Sequence, residues 1–259
     1  GRTGSTKLHL LLAASGDFKV IPFWQDLTLS LRSGDRKEDP APRIRDTEDF
    51  VRWFDARAPK ARMIHAFDPL EPEEETHIYE QAAFGFYLFA FTFIPSFMQW
   101  FGGQDFRPHL AFFERALKYL QWQFHDGDPR SWVLKYPAYQ GCEPQLQEVF
   151  PDAVFVATYR DPVSTLTSSC SLFSAWYQAY SDANFDQILG QVMLEGQAIR
   201  TGLQMQSRRE RPDIAVLDIP YPDLTRSSEQ VVKNIYAHYG LPLSARALEA
   251  MRAWEKNNA

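Results

Sequence analysis

Two stretches of the chain are apolar almost without interruption and rich in β-branched and aromatic residues, Ala153 to Tyr159 and Ile214 to Ile219. Continuous runs of this length predict buried strands of a parallel sheet, the first of them central and covered on both faces, because a strand with one wet face would alternate. Around them the period becomes helical. Phe50, Val51 and Phe54 predict a helix over Asp46 to Ala58, closed by Pro59. Leu110, Phe113, Leu117, Leu120 and Phe124 mark an amphipathic helix with Pro108 near its first position. Helices are also predicted from Leu8 to Gly16, Gln145 to Phe150, Val163 to Tyr180 and Glu229 to His238, the last stopped by Gly240 and Pro242. Trp132-Val133-Leu134 reads as a short strand ending at Lys135, Phe18 to Trp24 as a short extended piece, Leu27 to Arg43 as a Pro-punctuated surface loop, and Pro220 to Asp223 as a turn. Strands alternating with helices argue an α/β fold, a central parallel sheet flanked by helices.

The most apolar tract, Ala83 to Phe101, holds seven Phe in nineteen residues. Gly85, Pro95, Ser96 and Gln99 interrupt it, which argues against a membrane span and for buried helix broken near Pro95, with aromatics lining an apolar cavity. The 259 residues, 45% hydrophobic, can bury one sizeable core, and no linker divides them, so 1–259 is expected to be one domain. A net charge of −6 and a pI near 5.6 disfavour nucleic acid or anionic membrane as partners. Cys142 and Cys170 show neither metal-ligand spacing nor a disulfide framework, which fits a reducing, cytoplasmic setting.

Chemistry concentrates at the start. Gly1-Arg2-Thr3-Gly4-Ser5-Thr6-Lys7 is a short loop of small and hydroxyl residues opening straight into a helical run, so unpaired N–H groups at the helix start would favour a phosphate or sulfate. The nucleotide triphosphatase loop needs Lys directly after its second Gly, and Ser5 and Thr6 stand between Gly4 and Lys7. A second candidate site follows the first strand: Arg160 at its end and Ser168 eight residues on could converge on one phosphate.

These residues together resemble the PAPS-dependent sulfotransferase family in its bacterial form. Arg2, Thr3, Gly4, Ser5, Thr6 and Leu8 fit that family's 5′-phosphosulfate loop, with Gly1 where the pattern has Pro; Arg160, Asp161, Pro162 and Ser168 fit its 3′-phosphate signature. Trp132-Val133-Leu134-Lys135-Tyr136-Pro137 is similar to the segment whose Lys reaches the transferring sulfuryl group, and Tyr221-Pro222-Asp223-Leu224 to the segment whose Tyr packs near the adenine. The resemblance implies a P-loop-like sulfotransferase fold, PAPS as donor with PAP as product and no metal, Arg2, Thr3, Gly4, Ser5, Thr6, Lys7, Arg160, Ser168 and Tyr221 as donor-binding residues, and Arg2 and Lys135 as catalytic cations. Two features depart from the pattern: Pro137 stands where the cytosolic branch has its catalytic His, and no glycine-rich nucleotide loop is visible before Ala259. The family's phosphate loop follows a strand, and none precedes Gly1, so the sequence reads as a domain trimmed at both ends.

A base must then come from elsewhere. Of six His, His65 lies in a non-helical connection beside Glu71-Pro72-Glu73-Glu74-Glu75, a segment similar to a His-then-Pro-Glu-Glu stretch of bacterial members. His65 is the first candidate base, with Glu73 or Glu74 next; the acidic run also has a plain reading as the dipole-compatible first turn of a helix. Residues 17–130 are expected to form a helical acceptor-binding part. Their aromatic content favours a lipid-like, polyketide or phenolic alcohol, free or bound to a carrier protein. The competing readings are a catalytically inactive nucleotide- or apolar-ligand-binding module on the same fold and, more distantly, a P-loop kinase.

Overall fold

In the computed structural model, which describes residues 2–85 and 87–258, the two predicted strands pair in parallel. β1 (Phe155–Tyr159) and β2 (Val216–Pro220) run in register from Phe155 opposite Val216 to Tyr159 opposite Pro220. Both begin two residues later than the apolar runs that predict them, and most of their residues are half-buried rather than covered on both faces. The reason is topological: among the described residues this sheet has two strands, so β1 has a hydrogen-bonded neighbour on one side, and Val154 and Tyr159 stay exposed.

Helices supply the rest. α1 (Ser5–Ala14) follows the N-terminal loop directly and ends at Gly16, whose φ of 73° is the left-handed conformation that stops a helix. α2 (Phe23–Leu27) occupies the end of the predicted extended piece, and α3 (Ala41–Arg57) starts inside the predicted loop. Pro59 does not close a helix into a loop. It opens α4 (Pro59–Ile64), since its missing N–H and fixed φ suit a first helical position. α5 (Thr76–Glu80) has no acidic residue in its first turn, so Glu73 and Glu74 lie ahead of it in extended chain and the dipole reading of that run does not hold.

The aromatic tract forms two short helices, α6 (Tyr87–Ala90) and α7 (Pro95–Gly102), with Pro95 starting the second. α8 (Arg107–Phe124) buries Leu110, Phe113, Leu117 and Leu120 on its predicted face. A 3₁₀ turn (Pro137–Tyr139) and α9 (Glu143–Val149) lead into β1. α10 (Pro162–Tyr180) and α11 (Asp186–Glu210) pack together before β2. Then come α12 (Tyr221–Arg226), where the pattern predicts only a turn, α13 (Ser228–His238) and α14 (Ala245–Asn257). No described helix is long and apolar enough to cross a membrane.

Buried side chains separate into two cores. The larger is aromatic and runs through α2 to α10, with Phe54, Phe67, Tyr79, Tyr87, Phe113 and Trp176 among its members. The smaller joins Leu8, Leu11 and Leu12 of α1 to Ile219, Leu224, Val232, Ile235 and Met251. Between them lies the segment predicted as a short strand. It makes a single parallel bridge, Lys19 with Trp132, and yet its side chains alternate as in a strand: Trp132 and Leu134 pack on the larger core, Val133 on the smaller. Lys135 follows at that seam.

Candidate active site

Parallel strands end on the same side of a sheet, and the loops that follow them meet there. Because Tyr159 is opposite Pro220, Arg160 and Tyr221 leave the sheet side by side, and the Arg160 guanidinium carbon lies 4.3 Å from the centre of the Tyr221 ring. The N-terminal loop reaches the same edge, where Thr3 Oγ1 is 2.6 Å from Thr158 Oγ1 of β1. Gly4 stands at the N-cap of α1 with φ 88°, and a Cβ there would lie 2.9 Å from Leu224 Cδ2 and 3.0 Å from Tyr221 Cδ2. Only glycine meets both demands. No side chain caps α1 and its first turn holds no carboxylate, so its leading N–H groups remain suited to an anion.

Arg2, with a positive φ of 65°, ties this loop to two other elements. Its Nε donates to Ser168 Oγ at 3.0 Å and its Nη2 to the Ile64 carbonyl at 3.2 Å. Ser168 is presented by α10, whose start is fixed by Pro162 and by the Asp161 carboxylate accepting from the Ser164 N–H at 2.7 Å. Arg2 and Ser168, each assigned to the donor from separate motifs, are thus direct partners. Burial pulls the Arg2 pKa below the ordinary guanidinium value. The Lys7 ammonium, by contrast, pairs with Glu255 of α14 at 2.6 Å.

The loop cation is supplied by Lys135. Its Nζ donates to Thr6 Oγ1 at 3.2 Å and to Glu74 Oε1 at 2.9 Å, and lies 3.7 Å from Glu73 Oε1. Burial alone would lower the Lys135 pKa, but Glu74 and Glu73 together raise it, so the group stays an ammonium. Glu73 also meets His65, Oε2 to Nε2 at 3.0 Å. Burial works against its charge, yet His65 and Lys135 hold the Glu73 carboxyl down at about 2. An unbroken path of polar contacts therefore runs from the His65 ring through Glu73 and Lys135 to Thr6.

Glu75 belongs to the site in another way. Its Oε1 accepts the Lys135 backbone N–H at 2.8 Å while Oε2 is buried without a partner, and burial pushes its pKa up to about 8. The acidic run alternates: Glu73 and Glu75 are buried and Glu74 is half-buried toward Lys135. That alternation of burial is the mark of extended chain, and a run of identical Glu residues carries no sign of it in sequence. His9 is enclosed in α1; burial, then the Lys135 charge, drives its pKa down to about 3, which keeps it neutral. His77 is held by Asp26, which accepts from its Nδ1 at 2.8 Å and from its backbone N–H at 3.1 Å.

The far side of His65 is aromatic. Its ring meets Phe67 and Trp176 edge-on, centroids 5.1 and 5.8 Å apart, and Trp176 packs in turn on Tyr87 and Phe91. The indole N–H of Trp176 is buried and has no acceptor in the structure. Trp176 and Phe67 carry no motif, and sequence reasoning assigned neither. A separate, largely polar cavity of about 300 Å³ lies between the end of α10 and the start of α11 and includes none of these residues. No described group of three or more His, Cys, Asp or Glu is arranged to hold a metal ion.

No curated protein matches the chain significantly. Among solved structures it is similar to sulfotransferase STF9 from Mycobacterium avium, with a TM-score of 0.80 and 23% identity over 99% of this chain and 66% of that one. It is also similar to sulfotransferase STF1 from Mycobacterium tuberculosis H37Rv, with a TM-score of 0.73 and 25% identity over 97% of this chain and 68% of that one. The chain thus spans about two thirds of the length of these structures. A family model described as the sulfotransferase family matches residues 1–245, nearly the whole sequence, and the chain belongs to that family.

Proposed function

We propose that the chain transfers a sulfuryl group from PAPS to a hydroxyl of a largely apolar acceptor. The observation that carries this reading is the path from His65 through Glu73 and Lys135 to Thr6, which joins a proton acceptor to the anion-binding loop. PAPS would supply the activated sulfuryl group. Arg2, Thr6 and the first N–H groups of α1 suit its 5′ end, Arg160 and Ser168 its 3′-phosphate, and Tyr221 stands beside Arg160 for the base.

The residues divide the work by chemistry. An ionised Glu73 can only accept, so the His65 Nε2 that it faces carries the hydrogen, and in the neutral ring the lone pair sits on Nδ1. Nδ1 is then the atom that takes the acceptor proton, and Glu73 stabilises the imidazolium that results. Lys135 and Arg2 place positive charge where negative charge grows on the sulfuryl and bridging oxygens. The aromatic wall of Phe67 and Trp176 favours a lipid-like, polyketide or phenolic alcohol, free or carrier-bound, over a charged glycan.

The test is transfer of label from radiolabelled PAPS to a panel of apolar alcohols and phenols, read by mass, in the wild type and in His65→Gln. Loss of a general base should lower kcat by roughly 10²–10⁴ with PAP affinity nearly intact. Failure of PAP and PAPS to raise the Tm of the wild type, or a folded His65→Gln enzyme keeping a third of kcat, would overturn the assignment.

A further inference from the structure

The partners of Lys135 are unequal. Thr6 Oγ1, at 3.2 Å, belongs to the anion loop; Glu74 Oε1, at 2.9 Å, is a carboxylate whose field also reaches Arg2. Glu73, the neighbouring acid, is committed to His65. Glu74 has no such commitment: the hydrogen bond its carboxylate makes in the structure is with Lys135. The Lys135 and Glu74 side chains are only about 10% and 12% exposed, so solvent screens the pair weakly. A donor whose sulfuryl oxygens must reach Lys135 therefore meets a carboxylate already there, at hydrogen-bond distance and with the same sign of charge.

Resting on the donor assigned above, we propose that Glu74 is a specificity-determining residue for the donor: its carboxylate holds the place on Lys135 that a sulfuryl oxygen takes when PAPS binds. PAP, which ends at the 5′-phosphate, leaves the Lys135–Glu74 pair intact, whereas PAPS must break it. Glu74 thereby penalises the donor relative to the product, and it regains the ammonium once the sulfuryl group has gone to the acceptor.

Calorimetric titration of PAPS and of PAP, without acceptor, into the wild type, Glu74→Gln and Glu74→Ala tests this. Removing the charge should tighten PAPS about tenfold or more in both variants, because a like charge is lost and Lys135 is released. PAP should tighten by a clearly smaller factor than PAPS, because only the longer-range field of Glu74 acts on its 5′-phosphate, and its retained binding reports that the variants are folded. Equal changes for the two nucleotides, or weaker PAPS binding, would show that Glu74 merely positions Lys135 and would overturn the proposal. A wild type that binds neither nucleotide removes the donor assignment itself, which separates the two failures.

Discussion

Replacing Glu75 by Gln isolates a charge that the fold keeps off. The side chain is 1% exposed, its Oε1 accepts the Lys135 N–H, and its pKa stands at about 8 against an ordinary 4.5. Burial is the main cause; the Lys135 N–H works the other way without cancelling it. A carboxyl raised in the native state contributes its stability in full below the unfolded value and loses it as pH climbs through the folded one. Wild-type stability should accordingly fall between about pH 4.5 and pH 8 through this group. With about 1.4 kcal/mol per pKa unit, a rise of about 3.5 units amounts to roughly 5 kcal/mol at the alkaline limit, and about 3 kcal/mol at pH 7. Gln keeps the accepting oxygen and the volume but cannot ionise, so Glu75→Gln should match the wild type within about 1 kcal/mol at pH 5 and exceed it by several at pH 9. Denaturant unfolding of both proteins from pH 5 to 9, taken as the variant-minus-wild-type difference, removes every other titrating group. A difference that stays flat, or a variant that is the less stable at pH 9, would mean that Glu75 is ionised in the native protein and that the reasoning about its burial is wrong.

Arg160→Ala and Ser168→Ala should each weaken PAP by about 1–3 kcal/mol and leave adenosine 5′-phosphosulfate, which lacks the 3′-phosphate, nearly unchanged, as competition binding would show. An equal loss for both ligands would place these residues elsewhere; for Ser168 the Arg2 Nε bond makes that comparison the sharper one. Lys7→Ala should cost PAP affinity less than threefold and stability no more than about 1 kcal/mol, because its partner is the half-exposed Glu255. A large loss of PAP affinity would return Lys7 to the loop.

The N-terminal loop and the residues at the strand ends were more legible than residues 17–130, and the reason lies in how each part is built. Arg2 to Thr6, Lys135, Arg160 and Ser168 are fixed by backbone geometry: a left-handed Gly4, strand ends and a capped helix, all local and all spaced in sequence. α3, α8 and α13 were legible because one face of each is apolar. α11 was not: Ile188, Leu194, Ile199 and Leu203 are exposed, and with apolar residues outside the buried face no single stripe marks it. The tract around Phe84 to Phe101 hid its boundaries for the opposite reason, since a segment apolar on every side has no period. The helix-start reading of the acidic run fails because tertiary burial of Glu73 and Glu75 overrides a carboxylate's local preference for a wet helix start.

The division into two cores bears directly on how such a site can work. Gly4, α1 and the Leu224 turn are anchored in the smaller core, whereas His65 rests on Phe67 and Trp176 of the larger. Hydrophobic packing alone does not register one core against the other, because it is non-directional. The registration comes from polar contacts that cross the seam. Arg2 spans from the loop to Ser168 and the Ile64 carbonyl, one residue before His65, and Lys135 reaches Thr6 from a segment whose side chains alternate between the cores. Hydrogen bonds have the directionality that packing lacks. The side chains of Arg2 and Lys135 therefore also set the distance between the N-terminal loop and His65. The left-handed backbone of Arg2, with φ 65°, accompanies these bonds to α4 and α10, and a residue in that region persists where its surroundings hold it in place.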